Sequence, residues 1–173
     1  MVNLQPATEA DYPEIIALTN RAFRGTGPEA SWNVESVLEG ERINDELLRE
    51  DLAKAPGGHL LIWRDPDGEH IGHVRLAPED DGAWYLALLT VRPDRQDQQL
   101  GRRLLTASED FARARGGARV RMTVVNTRDT LIAWYLRRGY ALTGKTEPFP
   151  YHDERIGRAT RDDLCFVVLE RAI

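Results

Sequence analysis

VRPDRQDQQLGRRLL, residues 91–105, joins an apolar stretch to an amphipathic one, and its reading decides the fold. Upstream, AWYLALLTV (83–91) is long, apolar and rich in β-formers, so it reads as a central strand ended by Pro93. Downstream, Leu104, Leu105, Ser108, Phe111 and Ala112 share one face of a helix that runs from Gly101 to Arg115 and stops at Gly116 and Gly117. A strand entering a helix through such a turn presents unpaired backbone N–H groups and the positive end of the helix dipole, which bind phosphate without a dedicated side chain. Turns of this kind usually carry several glycines, and this one holds only Gly101. Neither the dinucleotide pattern G-x-G-x-x-G nor the Walker pattern G-x-x-x-x-G-K-[ST] is present, so a dinucleotide or ATP is poorly supported.

Working outward, VNLQPA (2–7) reads as a short strand, and Thr8 caps an amphipathic helix over 9–23 carrying Ile15, Ile16, Leu18, Ala22 and Phe23. Residues 24–35 read as loop. Asn44 or Asp45 starts a second helix reaching about Ala55. HLLIWR (59–64), the DPDG turn and HIGHVRLA (70–77) form a hairpin. After the 101–115 helix, ARVRMTVV (118–125) alternates, with Val120, Met122 and Val124 on one face and Arg119 and Arg121 on the other. TRDTLIAWYLRRG (127–139) is a short helix closed by Gly139, and strands follow at 140–145 and 163–172. The intervening 146–162 is too long for a tight turn and reads as a functional or mobile loop. The order βααβββαβαββ is that of a mixed α/β sheet.

A length of 173 residues suits a single domain over 1–173. The balance of 42% hydrophobic and 29% charged residues is that of an ordinary globular chain. A net charge of −5 argues against bulk nucleic-acid binding, although Arg92, Arg95, Arg102 and Arg103 make a local basic cluster. The single cysteine, Cys165, rules out an internal disulfide framework and any cysteine-only metal site; it reads as inert core, and no metal is expected. No signal peptide and no apolar run long enough for a membrane span is visible, so a cytoplasmic protein is the simplest reading.

The stretch Gln96-Asp97-Gln98-Gln99-Leu100-Gly101 resembles the acetyl-CoA loop [QR]-x-x-G-x-[GA] of GNAT-type N-acetyltransferases, with Gln99 replacing the first glycine and Gly101 keeping the last. LIAWYLRRGY (131–140) resembles the family's A-x-x-x-Y-x-x-x-G-[FY] segment. The two pieces occur in the family's order and spacing. The resemblance implies the GNAT fold, a mostly antiparallel sheet of about seven strands with about four helices. It also implies acetyl-CoA as co-substrate and direct acetyl transfer to a primary amine of a small molecule or peptide. The alternative is a non-catalytic acyl-CoA-binding or regulatory module on the same fold. Dimers are common in the family, which leaves a homodimer open.

The resemblance assigns the pantetheine arm to the splayed strand end Leu89-Thr90-Val91, the pyrophosphate to the main chain over 97–102, and Tyr135 to the thiolate. Tyr135 also fits a core residue. With a phenol at about 10 and a thiol at about 8.5, full proton transfer runs uphill, so a hydrogen bond to sulfur is the safer role. Gln99 is strained by roughly 1–2 kcal/mol if its φ is positive and costs little otherwise. Asp97 is expected to face solvent. Arg102 and Arg103 suit CoA phosphates or solvent equally.

Asn126 stands two places before the family's asparagine position, which is Arg128 here. It fits cofactor contact or a turn or helix-cap role. The strand 83–91 lacks a carboxylate to serve as base. Glu35, Glu39, His73 and His152 are candidates that each read more simply as ordinary polar residues. The acceptor site falls on Ser31-Trp32-Asn33-Val34-Glu35 and Pro148-Phe149-Pro150-Tyr151-His152, with Trp32, Glu35, Phe149 and Tyr151 as substrate-facing residues. Phe149 and Tyr151 equally suit pinning the long loop to the sheet.

Overall fold

A computed structural model describes residues 2–28 and 30–173, and for Gln96 and Asp97 the backbone alone. Seven strands form one sheet: β1 (Leu4–Pro6), β2 (His59–Arg64), β3 (His70–Pro78), β4 (Ala83–Val91), β5 (Arg119–Val125), β6 (Ala141–Pro148) and β7 (Cys165–Ala172). Their spatial order is β1-β2-β3-β4-β5-β7-β6, and every neighbouring pair is antiparallel except β4–β5. Among the described residues four α-helices accompany them: α1 (Tyr12–Arg24), α2 (Asp45–Lys54), α3 (Leu100–Arg113) and α4 (Asp129–Leu136). The βααβββαβαββ order expected from the sequence is observed for the main sheet and its helices; two further two-residue strands, Leu38–Glu39 and Arg158–Ala159, were not expected. No helix is long and apolar enough to cross a membrane among the described residues.

Local chemistry explains the boundaries. Asn44 caps α2, its side chain accepting from Leu47 N at 2.9 Å. Asp65 organises the β2–β3 turn by accepting from the N–H groups of Asp67 and Glu69, and Gly68 takes the left-handed conformation at φ 85°. The first helix departs slightly from expectation. Residues 9–11 form a 3₁₀ turn in which Asp11 accepts from both the backbone and the hydroxyl of Thr8, and the α-helix begins at Tyr12.

The sheet is covered on both faces. Leu60 and Ile62 of β2 pack with Ile15, Ile43, Leu47 and Leu48 of the α1–α2 layer. The alternate residues Leu61 and Trp63 pack with Leu100, Leu104, Leu105 and Leu131 of the α3–α4 layer. An apolar run such as HLLIWR therefore reads correctly as a strand buried on both sides.

The segment 146–162 is more ordered than a long open loop. Strand β6 extends to Pro148, a 3₁₀ turn spans Glu154–Ile156, and Arg158–Ala159 pair with Leu38–Glu39 as a two-residue antiparallel ribbon. Phe149 drives this arrangement: it is buried with Leu38, Val125 and Leu164, so the chain returns over the end of the sheet before β7.

Candidate active site

The site begins with an irregularity in β4. Between the pairs Arg75↔Ala87 and His73↔Thr90, β4 spends two residues, Leu88 and Leu89, against Val74 alone. This is a β-bulge, and Leu88 occupies it with φ 52°, a left-handed conformation that costs a branched residue about 1–2 kcal/mol. The extra residue reverses side-chain parity. Leu86 packs in the α3–α4 layer and Leu88 in the α1–α2 layer, while Leu89 and Val91 return to the α3–α4 side.

Beyond the bulge β4 also leaves its parallel neighbour. The two strands pair only at Ala83↔Arg119, Trp84↔Val120 and Tyr85↔Arg121, although they continue to Val91 and Val125. Two cavities meet at the resulting fork. A cleft of about 400 Å³ on the α3–α4 side is lined by Leu89, Thr90, Val91, Gln99, Gly101, Arg102, Trp134 and Arg138 among others. A second cavity of about 280 Å³ runs between Leu86–Leu89 and Met122–Val125. Phe23, Asn33, Leu89, Leu131 and Tyr135 line both.

The quoted turn lies at one end of the cleft. Pro93–Gln98 form a 3₁₀ turn, Gln99 takes φ 54°, and α3 starts at Leu100. Gln99 therefore adopts the strained alternative, in a conformation that glycine would reach without cost. Gln99, Gly101 and Arg102 line the cleft, whereas Gln98 faces a separate hollow beside Trp63 and Arg103, and the Leu100 side chain is buried in the core. The orientation expected for Asp97, and the side chain of Gln96, lie outside the described residues. The basic cluster is divided. Arg92 and Arg95 pair with Asp94, Glu69 and Asp65, and Arg103 stacks over Trp63 at 4.9 Å, which leaves Arg102 at the cleft. Arg138, stacked over Trp134 at 3.5 Å, joins it there.

Tyr135 is 5% exposed, and its ring packs edge-on against Trp134 and Tyr140. Its hydroxyl makes no hydrogen bond among the described residues. Burial raises the phenol's pKa, against smaller opposing effects of Arg128 and Arg138. The group is thus a protonated O–H donor at any working pH, standing where the two cavities join.

The remaining expected residues are placed as follows. Trp32 is half exposed at the cleft, 6.5 Å from the Trp134 ring. Glu35 is buried at the second cavity with both carboxylate oxygens taken, one by Arg24 and the other by Arg128 at 3.0 Å. Arg128 also donates to the carbonyl and side-chain oxygens of Asn33, and burial lowers its pKa. Asn126 joins β5 to β7: its amide donates to Asp163 O at 3.0 Å and accepts from Cys165 N at 3.1 Å, and it lines neither cavity. Phe149 is core, and the Tyr151 hydroxyl accepts from Leu164 N at 2.7 Å, so both pin the segment after β6 and line neither cavity.

Of the base candidates, His73 is fully buried between Thr19 and His70, Glu39 pairs with Arg158, and His152 is exposed outside both cavities. The structure adds Phe23, Leu131, Trp134, Arg42, Tyr85 and Glu147 as lining residues. They come from α1, α4, β4, β6 and the α1–α2 connection and converge only through the fold.

Comparisons with known proteins identify the fold and the family. Residues 14–140 match the model of the Acetyltransferase (GNAT) family. The ribosomal-protein-S18-alanine N-acetyltransferase of Escherichia coli superposes with a TM-score of 0.71 at 17% identity, over 100% of this chain and 94% of that one. The PaiA N-acetyltransferase of Thermoplasma acidophilum, solved with coenzyme A, gives 0.70 at 14%, over 100% and 99%. Nourseothricin acetyltransferase gives 0.66 at 20%, over 99% and 98%. Sequence comparison with curated proteins gives no match. The seven-stranded sheet and four helices are the GNAT fold, and the chain belongs to the Acetyltransferase (GNAT) family.

Proposed function

We propose that the chain is a single N-acetyltransferase domain that moves an acetyl group from acetyl-CoA to a primary amine of a small molecule or peptide. The observation that carries this reading is the position of Tyr135, buried, unpartnered and shared by two cavities at the β4–β5 fork. The cleft fits the co-substrate in three respects. Its walls Leu89, Val91, Leu131 and Trp134 suit an extended thioester arm, Arg102 and Arg138 supply positive charge, and the α3 N-terminus offers main-chain N–H groups to a diphosphate. Acetyl-CoA supplies an activated acetyl thioester.

Each part of the fork then has a task. Backbone N–H groups of Leu89–Val91 orient the arm as an added strand and polarise the acetyl carbonyl. Amides over 98–102 hold the diphosphate. The Tyr135 hydroxyl, kept protonated by burial, donates a hydrogen bond to the departing sulfur. The second cavity, beside Glu35 and near Trp32, receives the amine.

Thiol release from acetyl-CoA over a panel of amines tests the reading. Turnover with at least one amine is expected, and Tyr135→Phe should lower kcat by about tenfold or more while acetyl-CoA affinity holds. Binding of acetyl-CoA without thiol release from any amine would instead identify a non-catalytic acyl-CoA-binding module.

A further inference from the structure

The second cavity holds a cation, Arg42, that makes no ion pair among the described residues. Arg42 lies in the connection between α1 and α2, and Asn20 fixes that connection with three hydrogen bonds: its Oδ1 accepts from Arg42 N at 2.7 Å and Ile43 N at 3.1 Å, and its Nδ2 donates to Ile43 O at 2.8 Å. The Arg42 guanidinium lines the cavity and packs 5.6 Å from the centre of the Phe23 ring, with Arg128 at 5.8 Å from the same ring. Among the described residues it makes no ion pair and no side-chain hydrogen bond. The neighbouring buried carboxylate is already committed, because Glu35 is shared by Arg24 and Arg128. Two guanidiniums, Arg42 and Arg128, thus share the cavity with one buried carboxylate that also pairs with Arg24. Burial lowers the pKa of Arg128, Glu35 opposes the fall, and Arg24 and Arg42 add smaller contributions to it. A part-buried guanidinium without a counter-charge is a ready site for an anion.

The rest of the cavity constrains that anion. Leu89 and Tyr135 form the end shared with the cleft, where an acceptor amine must reach the thioester. Glu147, exposed on β6, is the one other lining carboxylate among the described residues and could pair with an ammonium. At about 280 Å³ the space suits a small molecule, below the usual range of drug-sized sites. Resting on the acetyl-transfer reading above, we infer that the acceptor is a small amine that also carries a carboxylate, an amino-acid-like zwitterion whose carboxylate pairs with Arg42.

The test uses matched pairs: amino acids and the corresponding amino-acid amides, which keep the amine and lose the anion. Each is measured for thiol release from acetyl-CoA and, by calorimetry, for binding to the CoA-loaded protein. For at least one pair the free acid should exceed its amide by about tenfold or more in kcat/KM and in affinity. Arg42→Gln should bring that ratio close to one, and Arg42→Lys should keep part of it. Unchanged CoA binding by both variants establishes that they fold. Thiol release absent from every pair, with carboxylate-selective and Arg42-dependent binding retained, would overturn acetyl transfer and the role of acceptor with it, while leaving the Arg42 carboxylate site standing. Equal handling of acid and amide, a preference that survives Arg42→Gln, or no binding of any free acid would overturn the inference itself.

Discussion

Leu86 and Leu89 occupy opposite parities of one strand yet pack on the same face of the sheet, because Leu88 between them adopts φ 52° and adds a residue to β4. That shift brings Leu89 and Val91 to the cleft. Strain of this kind is held where surrounding structure over-determines it. Leu86 and Leu88 are both buried, at 3% and 6% exposure, and only Leu88 is left-handed. Replacing each by valine separates the two effects. Leu86→Val should cost about 1 kcal/mol for the lost methylene. Leu88→Val should cost about 1–2 kcal/mol more, because a β-branched residue tolerates positive φ poorly. Urea denaturation of both variants reads the difference, and equal costs would refute the strained bulge.

Gly101 separates cofactor binding from stability. A Cβ built there meets Trp134 Cζ2 at 3.5 Å, an ordinary contact, so the free protein accommodates alanine. Replacing glycine within a helix should stabilise by up to about 1 kcal/mol. The added methyl would nevertheless enter the cleft that Gly101 lines. Gly101→Ala is therefore expected to keep or raise the thermal midpoint and weaken acetyl-CoA by roughly tenfold in calorimetry, about 1.4 kcal/mol. Undiminished affinity would move the cofactor away from the start of α3.

Glu35 neutralises two buried guanidiniums, and the side chains of Arg24, Glu35 and Arg128 are all below a tenth exposed. Glu35→Gln leaves both cations without their charge partner, which should cost about 3–5 kcal/mol. At about 2–4 °C per kcal/mol for a chain of this size, the thermal midpoint should fall by roughly 10 °C. A double-mutant cycle with Arg128→Met should show coupling, and strictly additive losses would contradict the shared pair.

The buried histidines give stability a predictable pH dependence. Thr19 Oγ1 donates to Ile15 O at 2.8 Å, so at its 2.8 Å contact with His73 Nε2 it must accept. His73 Nδ1 then accepts from His70 Nε2 at 3.1 Å. Burial holds the pKa of His73 well below the ordinary histidine value, and His70 is also lowered, mainly by burial. Below about pH 6.5 the unfolded chain binds protons that the native site refuses, so stability is level above that pH and falls as pH drops toward the lowered native values. The slope reaches at most about 1.4 kcal/mol per pH unit for each such histidine. Thermal melts between pH 7.5 and 5 should show this decline, and it should be shallower in His73→Asn. A slope unaffected by that substitution would remove His73 as its source.

Most of the architecture was legible in the sequence because periodicity reports burial. HLLIWR and AWYLALLTV are mainly apolar, as strands covered on both faces are, and Leu104, Leu105, Ser108 and Ala112 mark the buried stripe of α3. The strand–turn–helix junction over 91–105 was legible from the apolar run before it and the helical stripe after it. The bulge was not, since leucine carries no signal for positive φ. Nor was the path of 146–162, whose order comes from one buried ring, Phe149, and a two-residue ribbon to distant Leu38 and Glu39. Asn126, Phe149 and Tyr151 have plausible site chemistry, but their hydrogen bonds and packing are spent on joining strands. Arg42 and Glu147 lie far apart in sequence and face one cavity only once β4 and β5 diverge.

A crystal structure of the protein with acetyl-CoA tests the central claim most directly. The account predicts the pantetheine arm along Leu89–Val91 in the β4–β5 fork, the diphosphate within hydrogen-bond distance of main-chain N–H groups over 98–102, and the thioester sulfur beside the Tyr135 hydroxyl. A diphosphate held elsewhere, with the start of α3 unengaged, would contradict it.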